Sequence, residues 1–334
     1  MQPSPAPCTE TGQMNVSFAE LGAWRIIVLG IVQGITELLP ISSTAHLRII
    51  PSLLGWPDPG SAFSAAMQLA SLIAVVTFLG GDVARIAGRA LTAAQKGDWQ
   101  DHSLQVTMGI LIGTVPIAVA GLLLRKTLNA CDSPLRGIAV IGWACIVMGV
   151  LLALAERYGQ RGAPESKRRW PGITLWDGIA VGIAQAFALI PGVSRSGSTL
   201  TAGLARGMER ATAAWFSFLL GLPAIVLAGL FELVSLRKAG LGARGWEMLV
   251  LGLAAGSASA YFALWGLVRY LKEHTSWVFV WYRIVLGVVL LWGAAGRKRS
   301  SAAGRPDSAG RLLSRIAKAR RIDFARSIGW EPPF

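Results

Sequence analysis

The chain has 334 residues, 53% hydrophobic and 15% charged, with a formal net charge of +14. This composition excludes an ordinary soluble enzyme and a disordered segment, and it places the chain in the membrane class. The positive charge does not point to nucleic acid: residues 297–334 alone hold 10 Lys/Arg against 3 Asp/Glu, and no aromatic-and-basic reading surface accompanies them.

Residues 1–17 read as an N-terminal extension; Met1 to Met14 lacks the basic start and apolar middle of a signal peptide. The first apolar stretch, 22–39, stops at Pro40, and a short helix is predicted over 43–54. Proline removes a backbone donor and disfavours helix in the residue before it. The chain should therefore halt inside the bilayer and turn back as a re-entrant hairpin. Three apolar stretches near the ~20 residues that a spanning helix needs follow at 62–79, 104–124 and 137–155.

Residues 156–171 read as a linker loop, after which the pattern returns. Stretch 173–190 stops at Pro191, a short helix is predicted over 195–206, and spans are predicted at 211–231, 248–268 and 275–296. Gly30-Ile31-Val32-Gln33 is echoed by Gly182-Ile183-Ala184-Gln185. An odd number of crossings per half means that the second repeat, 172–296, should be inverted relative to the first, 18–155. The expected fold class is an all-α polytopic membrane protein, with six transmembrane helices plus two re-entrant helix hairpins in an inverted repeat. Its site should lie where the two hairpin tips meet, near the midplane.

Basic residues pull the orientation both ways, with the tail on one side and Arg85, Arg89, Lys96, Arg157, Arg161 and Lys167 to Arg169 on the other. The tail, 297–334, suits anionic lipids, and Arg311 to Trp330 mixes apolar and basic residues as a surface-lying helix would. Cys8, Cys131 and Cys145 are odd in number and show no paired spacing, which supports neither a disulfide framework nor a zinc site.

The chemistry gathers at the two breaks. In the first, Gln33 and Glu37 share one helix face, then Ser42, Ser43 and Thr44 precede His46. A carboxylate at bilayer depth costs roughly 2.5–3.5 kcal/mol on insertion scales, so Glu37 marks a wet or paired site. The plainer account of Glu37 is a salt bridge to an arginine of the other repeat; that of the hydroxyls is helix capping. The second break carries Gly192, Ser194, Arg195, Ser196, Gly197 and Thr199. Its glycines let backbone approach a ligand, Ser194 is placed as a cap, and the Arg195 fork can hold two phosphate oxygens. Asp177 and Arg283 also fall in apolar runs and rank second, the former as an interfacial residue and the latter as one that could snorkel.

At these residues the chain resembles the undecaprenyl-diphosphate phosphatase family, also called bacitracin-resistance proteins. The resemblance covers about 20–296 and rests on three elements. They are Gln33 and Glu37 running into Pro40-Ile41-Ser42-Ser43-Thr44-Ala45-His46, then Pro191-Gly192-Val193-Ser194-Arg195-Ser196-Gly197, then Arg210-Ala211 leading to Phe216-Ser217-Phe218-Leu219-Leu220.

The resemblance implies a multi-pass enzyme of the bacterial inner membrane that hydrolyses the diphosphate of a C55 carrier lipid to its monophosphate, recycling the carrier for peptidoglycan synthesis. It implies that Glu37, Ser43, His46 and Arg195 are catalytic, with Gln33 in the first place of the acidic motif. Gln33, Ser42, Thr44, Gly192, Ser194, Ser196, Gly197 and Thr199 are the expected substrate-binding residues. No organic cofactor is expected; Mg²⁺ or Ca²⁺ at Glu37 is an option that glutamine at position 33 weakens. Ser43, His46 or water is the expected attacking group. A polyprenyl-lipid flippase or transporter is the rival reading, since broken helices in inverted repeats also build transporters. Small Gly and Ala faces would permit a homodimer.

Overall fold

The computed structural model describes residues 17–302 apart from 58, 125–126, 128–134, 136, 160, 162–166 and 239. Cys8, Cys131, nearly all of the N-terminal extension and most of the basic tail lie outside the described residues. The described chain is helical: α1 (Ala23–Leu38), α2 (Ser43–Leu54), α3 (Gly60–Ala66), α4 (Gln68–Lys96), α5 (His102–Leu123), α6 (Ile138–Gly159), α7 (Leu175–Ala186), α8 (Arg195–Ala205), α9 (Arg210–Lys238), α10 (Ala243–Glu273) and α11 (Trp277–Ala302). Short 3-10 turns at Ser17–Glu20, Trp170–Gly172 and Phe187–Leu189 join them.

Six helices, α4, α5, α6, α9, α10 and α11, are long and apolar enough to cross a membrane, with mean hydropathies between 1.6 and 2.6. The chain is a multi-pass membrane protein. The first of these differs from the expected stretch 62–79. It is split near Met67 into α3 and α4, and α4 runs on for 29 residues, about 43 Å at 1.5 Å per residue. An apolar window sees only the part that suits lipid. A helix continues past Asp82, Arg85 and Arg89 because its hydrogen bonds are internal and indifferent to where hydrocarbon ends.

The two short pairs, α1–α2 and α7–α8, are wedged among the long helices. The most extensive packing is α1 against α10, α6 against α11 and α5 against α7. Glycines permit the closest of these approaches. A Cβ at Gly30 would sit 2.5 Å from the Gly252 carbonyl oxygen, and one at Gly182 would sit 2.2 Å from that of Gly113. Gly30/Gly34 and Gly178/Gly182 are each four residues apart, as are their partners Gly252/Gly256 and Gly109/Gly113. This spacing of small residues lets membrane helices touch backbone to backbone. The main buried cluster runs from Leu38 and Val75 through Val181, Leu200 and Phe216 to Leu264 and Val280, directly around the two breaks.

Candidate active site

Each short pair turns at a proline-bearing break. Leu39, before Pro40, is extended (φ −71°, ψ 144°) and ends α1, and Ile190, before Pro191, is extended likewise. α2 and α8 then begin after serines of left-handed φ: Ser42 at 75° and Ser194 at 71°. Two non-glycine residues in this region mark turns held by their surroundings rather than by local preference.

The breaks face each other. Arg195 donates to Glu37 Oε1 at 2.8 Å, with Arg195 14% and Glu37 9% exposed. The other carboxylate oxygen, Oε2, accepts from Ser43 Oγ at 2.5 Å and from Gln33 Nε2 at 3.0 Å. Glu37 is thus both the ion-pair partner expected on plain structural grounds and the acceptor of a serine hydroxyl. Ser196 sews the tips together by donating to the Leu39 carbonyl at 2.9 Å and the Glu37 carbonyl at 3.1 Å.

Ser194 caps α8 by accepting from the Gly197 amide at 3.2 Å, whereas Ser42 makes no such bond at the start of α2. The Ser42 hydroxyl is 1% exposed and finds no hydrogen-bond partner among the described residues; nor does Gln33 Oε1. Orphaned polar atoms beside an ion pair are the mark of a place that receives a polar ligand or water. Thr44 is exposed, and Thr199 is buried with its hydroxyl on the Arg195 carbonyl. Gly192, at φ +100°, packs on Ile141, where a Cβ would sit 2.7 Å from the carbonyl oxygen.

His46 makes no hydrogen bond to Ser43. Its Nδ1 lies 2.7 Å from the Ser42 carbonyl oxygen and its Nε2 lies 2.5 Å from the Tyr282 hydroxyl. The carboxylate, rather than the imidazole, therefore accepts the Ser43 proton in this arrangement.

Two second-rank residues prove central to the architecture. Arg283 does not snorkel; it is 0% exposed, donating through Nη1 to the Pro40 carbonyl at 3.0 Å and through Nη2 to the Gly192 and Val193 carbonyls, each at 2.8 Å. One guanidinium thus ties both breaks, satisfying carbonyls that no helix can use. Asp177 is likewise not a loose interfacial residue. It is buried, closes a capping box with Thr174 and pairs with both Arg168 at 2.7 Å and Arg206 at 2.8 Å. Burial acts to raise its carboxyl, but the bonds from Arg168, the Thr174 amide and Arg206 outweigh it and hold the group at about 2.

Among the described residues no group of three or more His, Cys, Asp or Glu could hold a metal ion. Both oxygens of Glu37 already have partners. Tyr282 is the neighbour of the site that sequence reasoning missed, and Arg283 is the one it ranked second and expected to snorkel. The signal at Arg283 was a charge in an otherwise uncharged apolar run, which is costly unless paired inside the protein.

The profile of the family described as bacitracin resistance protein BacA matches residues 26–289. A protein of Mesorhizobium japonicum named undecaprenyl-diphosphatase 2 is 56% identical over 264 residues, which is 79% of this chain and 98% of that one. The undecaprenyl-diphosphatase of Trichormus variabilis is 47% identical over 273 residues, 81% of this chain and 84% of its own. That of Gloeobacter violaceus is 48% identical over 272 residues, 81% and 92%. The matched stretch contains both breaks and Arg283, and it stops short of the basic tail. With most of its length matched and both breaks inside the match, the chain belongs to the bacitracin resistance protein BacA family.

Proposed function

We infer that the chain is an undecaprenyl-diphosphatase of the bacterial inner membrane, converting undecaprenyl diphosphate to the monophosphate and inorganic phosphate and so returning carrier lipid to peptidoglycan synthesis. Relatives at 47–56% identity bear that name over most of this chain. The observation that carries the mechanism is the Ser43 hydroxyl on one oxygen of Glu37 while Arg195 holds the other.

The isoprenoid tail stays among lipid chains, and its diphosphate enters between the tips. The terminal phosphate competes with Glu37 for the Arg195 fork, because phosphate and carboxylate suit the same two-pronged donor. As Arg195 turns to the phosphate, Glu37 loses its counter-ion and becomes a stronger base. Ser43 Oγ attacks phosphorus, its proton passes to Glu37 Oε2, and the bond to the lipid phosphate breaks. The N-termini of α2 and α8 and Arg195 hold the charge that spreads over the transferred group. Water attacks the resulting phosphoserine and releases phosphate, with His46 as the base for that second step. A divalent cation accompanying the diphosphate would be held by Gln33 Oε1 and the Glu37 oxygen that Arg195 vacates, and would supply further positive charge there.

We also read the halves as inverted repeats whose hairpins enter from opposite faces. Support comes from matching details: Ser42 follows Gly30 at the same interval as Ser194 follows Gly182, both serines have left-handed φ, and both glycines sit in backbone-to-backbone contacts.

The test is phosphate release from a polyprenyl diphosphate by purified protein in detergent, where no gradient exists for a transporter to use. Wild type should turn over; Glu37→Ala, Ser43→Ala and Arg195→Ala should each lose at least about 10²-fold. Acid quench should leave phosphate on the Ser43 peptide. Turnover by Ser43→Ala near the wild-type rate would replace the serine nucleophile with directly attacking water; an inert wild type would remove the enzyme reading altogether.

A further inference from the structure

We propose that Tyr282 is the proton relay of His46: its hydroxyl donates to the Nε2 lone pair, so Nε2 takes up the phenol proton as the phenol oxygen accepts one from water. The inference rests on His46 acting in turnover, as set out above, and adds a residue of α11 that lies outside every motif of the two breaks.

The hydrogen-bond roles follow from the partners. A backbone carbonyl oxygen only accepts, so His46 Nδ1, 2.7 Å from the Ser42 oxygen, carries the proton. In the neutral imidazole the other nitrogen is then a lone-pair acceptor, and the Tyr282 hydroxyl at 2.5 Å must be its donor. The rings lie nearly parallel, 12° apart with centroids separated by 5.7 Å, so the phenol meets the imidazole edge to edge at Nε2.

His46 itself is 8% exposed and Tyr282 is 43% exposed. Nε2 thus faces the phenol, and the hydroxyl, on the more exposed of the two residues, is the atom through which a proton from water reaches it. Without the phenol, the Ser42 carbonyl would still set the tautomer, but Nε2 would lose its donor and with it the relay. Arg283, next in sequence, anchors the same turn of α11 to both breaks, so the phenol is carried on a fixed support.

Tyr282→Phe retains the ring and deletes only the hydroxyl. We expect kcat to fall about tenfold, the size of one lost hydrogen bond, with KM for the diphosphate within about twofold. The same substitution placed on His46→Ala should have no further effect, because its only route to the reaction is gone.

Activity is paired with a readout of the ring itself. The chain has three histidines, so ¹⁵N-histidine labelling gives few enough signals to assign His46 by its loss in His46→Ala. Wild type should show the Nδ1-protonated neutral tautomer with Nε2 as a hydrogen-bond acceptor; Tyr282→Phe should lose the acceptor signature.

A wild-type kcat in Tyr282→Phe, a penalty that persists undiminished in the His46→Ala background, or an Nε2-protonated ring in the wild type would each overturn the proposal. Full activity in His46→Ala is a different failure: it would remove His46 from the mechanism, and the role of Tyr282 with it.

Discussion

At the scale of single residues, the site is one carboxylate with three donors. Glu37 accepts from Gln33, Ser43 and Arg195, and only the last carries charge. Glu37→Gln keeps the shape but leaves the buried Arg195 without its counter-ion and Ser43 without a base. Phosphate release by Glu37→Gln should fall about 10²–10⁴-fold, the range expected when a positioned base is lost. KM should not rise, because Arg195 no longer has to leave a carboxylate in order to bind phosphate. A large rise in KM with kcat intact would instead mean that Glu37 binds substrate and takes no part in the chemistry. The breaks themselves were legible in the sequence, since Pro40 and Pro191 act on their immediate neighbours and a serine before a helix is a local signal. The distribution of partners was not. Which nitrogen of His46 faces what depends on Tyr282, 236 positions away, and the burial of Arg283 depends on carbonyls of two other elements. Arg283 stood out as a charge in an apolar run, but nothing local told snorkelling from burial, and Tyr282 beside it gave no signal at all.

At the scale of elements, contact between helices sets the position of the breaks. Gly34 lies one turn before Glu37, and a Cβ there would meet Ser259 Oγ at 2.1 Å and the Gly256 carbonyl at 2.2 Å. The second contact is backbone and cannot step aside. Gly34→Ala should cost about 1–3 kcal/mol by overpacking and lower activity as well, because α1 must shift and takes Glu37 with it. Gly80, in α4, has nothing within 4 Å of its would-be Cβ. Gly80→Ala should be neutral or stabilising by up to about 1 kcal/mol, through the better helix propensity of alanine. Thermal unfolding in one detergent separates the two, and equal midpoints would remove glycine contact as the cause.

The start of α7 depends on charge instead. Asp177 holds its carboxyl at about 2 against an ordinary 3.8, so its bonds stabilise the folded state fully above pH about 4 and fade as pH falls toward 2. Asp177→Asn should destabilise the protein near neutral pH by about 2–4 kcal/mol, the lower end being favoured because Arg206 is 43% exposed. The gap between variant and wild type should narrow below pH 4. A gap that stays constant down to pH 2 would place the effect in packing rather than ionisation.

At the scale of the whole molecule, each half supplies the other's packing partner. α1 lies on α10, α7 on α5 and α6 on α11, and the paired Glu37 carboxylate and Arg195 guanidinium come from opposite halves. A half expressed alone would expose the glycine seams of Gly30 and Gly34, or of Gly109 and Gly113, and would leave Glu37 or Arg195 unpaired at bilayer depth, at a cost of several kcal/mol. Neither half should then be stable or active. The covalent link between them matters far less, because the described residues flanking 162–166 are held by bonds that a cut there leaves in place: Arg168 bonds to Asp177 and to the Arg206 carbonyl, and Lys167 donates to the carbonyls of Gly159 and Arg161. A chain cut within 162–166 and produced as two co-expressed pieces should therefore assemble. It should elute as one complex in detergent and release phosphate from a polyprenyl diphosphate within about tenfold of the intact chain, since cutting a loop removes only a modest entropic advantage. Activity in either piece alone would mean that one half holds a whole site. Two stable pieces that stay apart would mean that the seams do not drive assembly, and the pairing of Glu37 with Arg195 would need another cause.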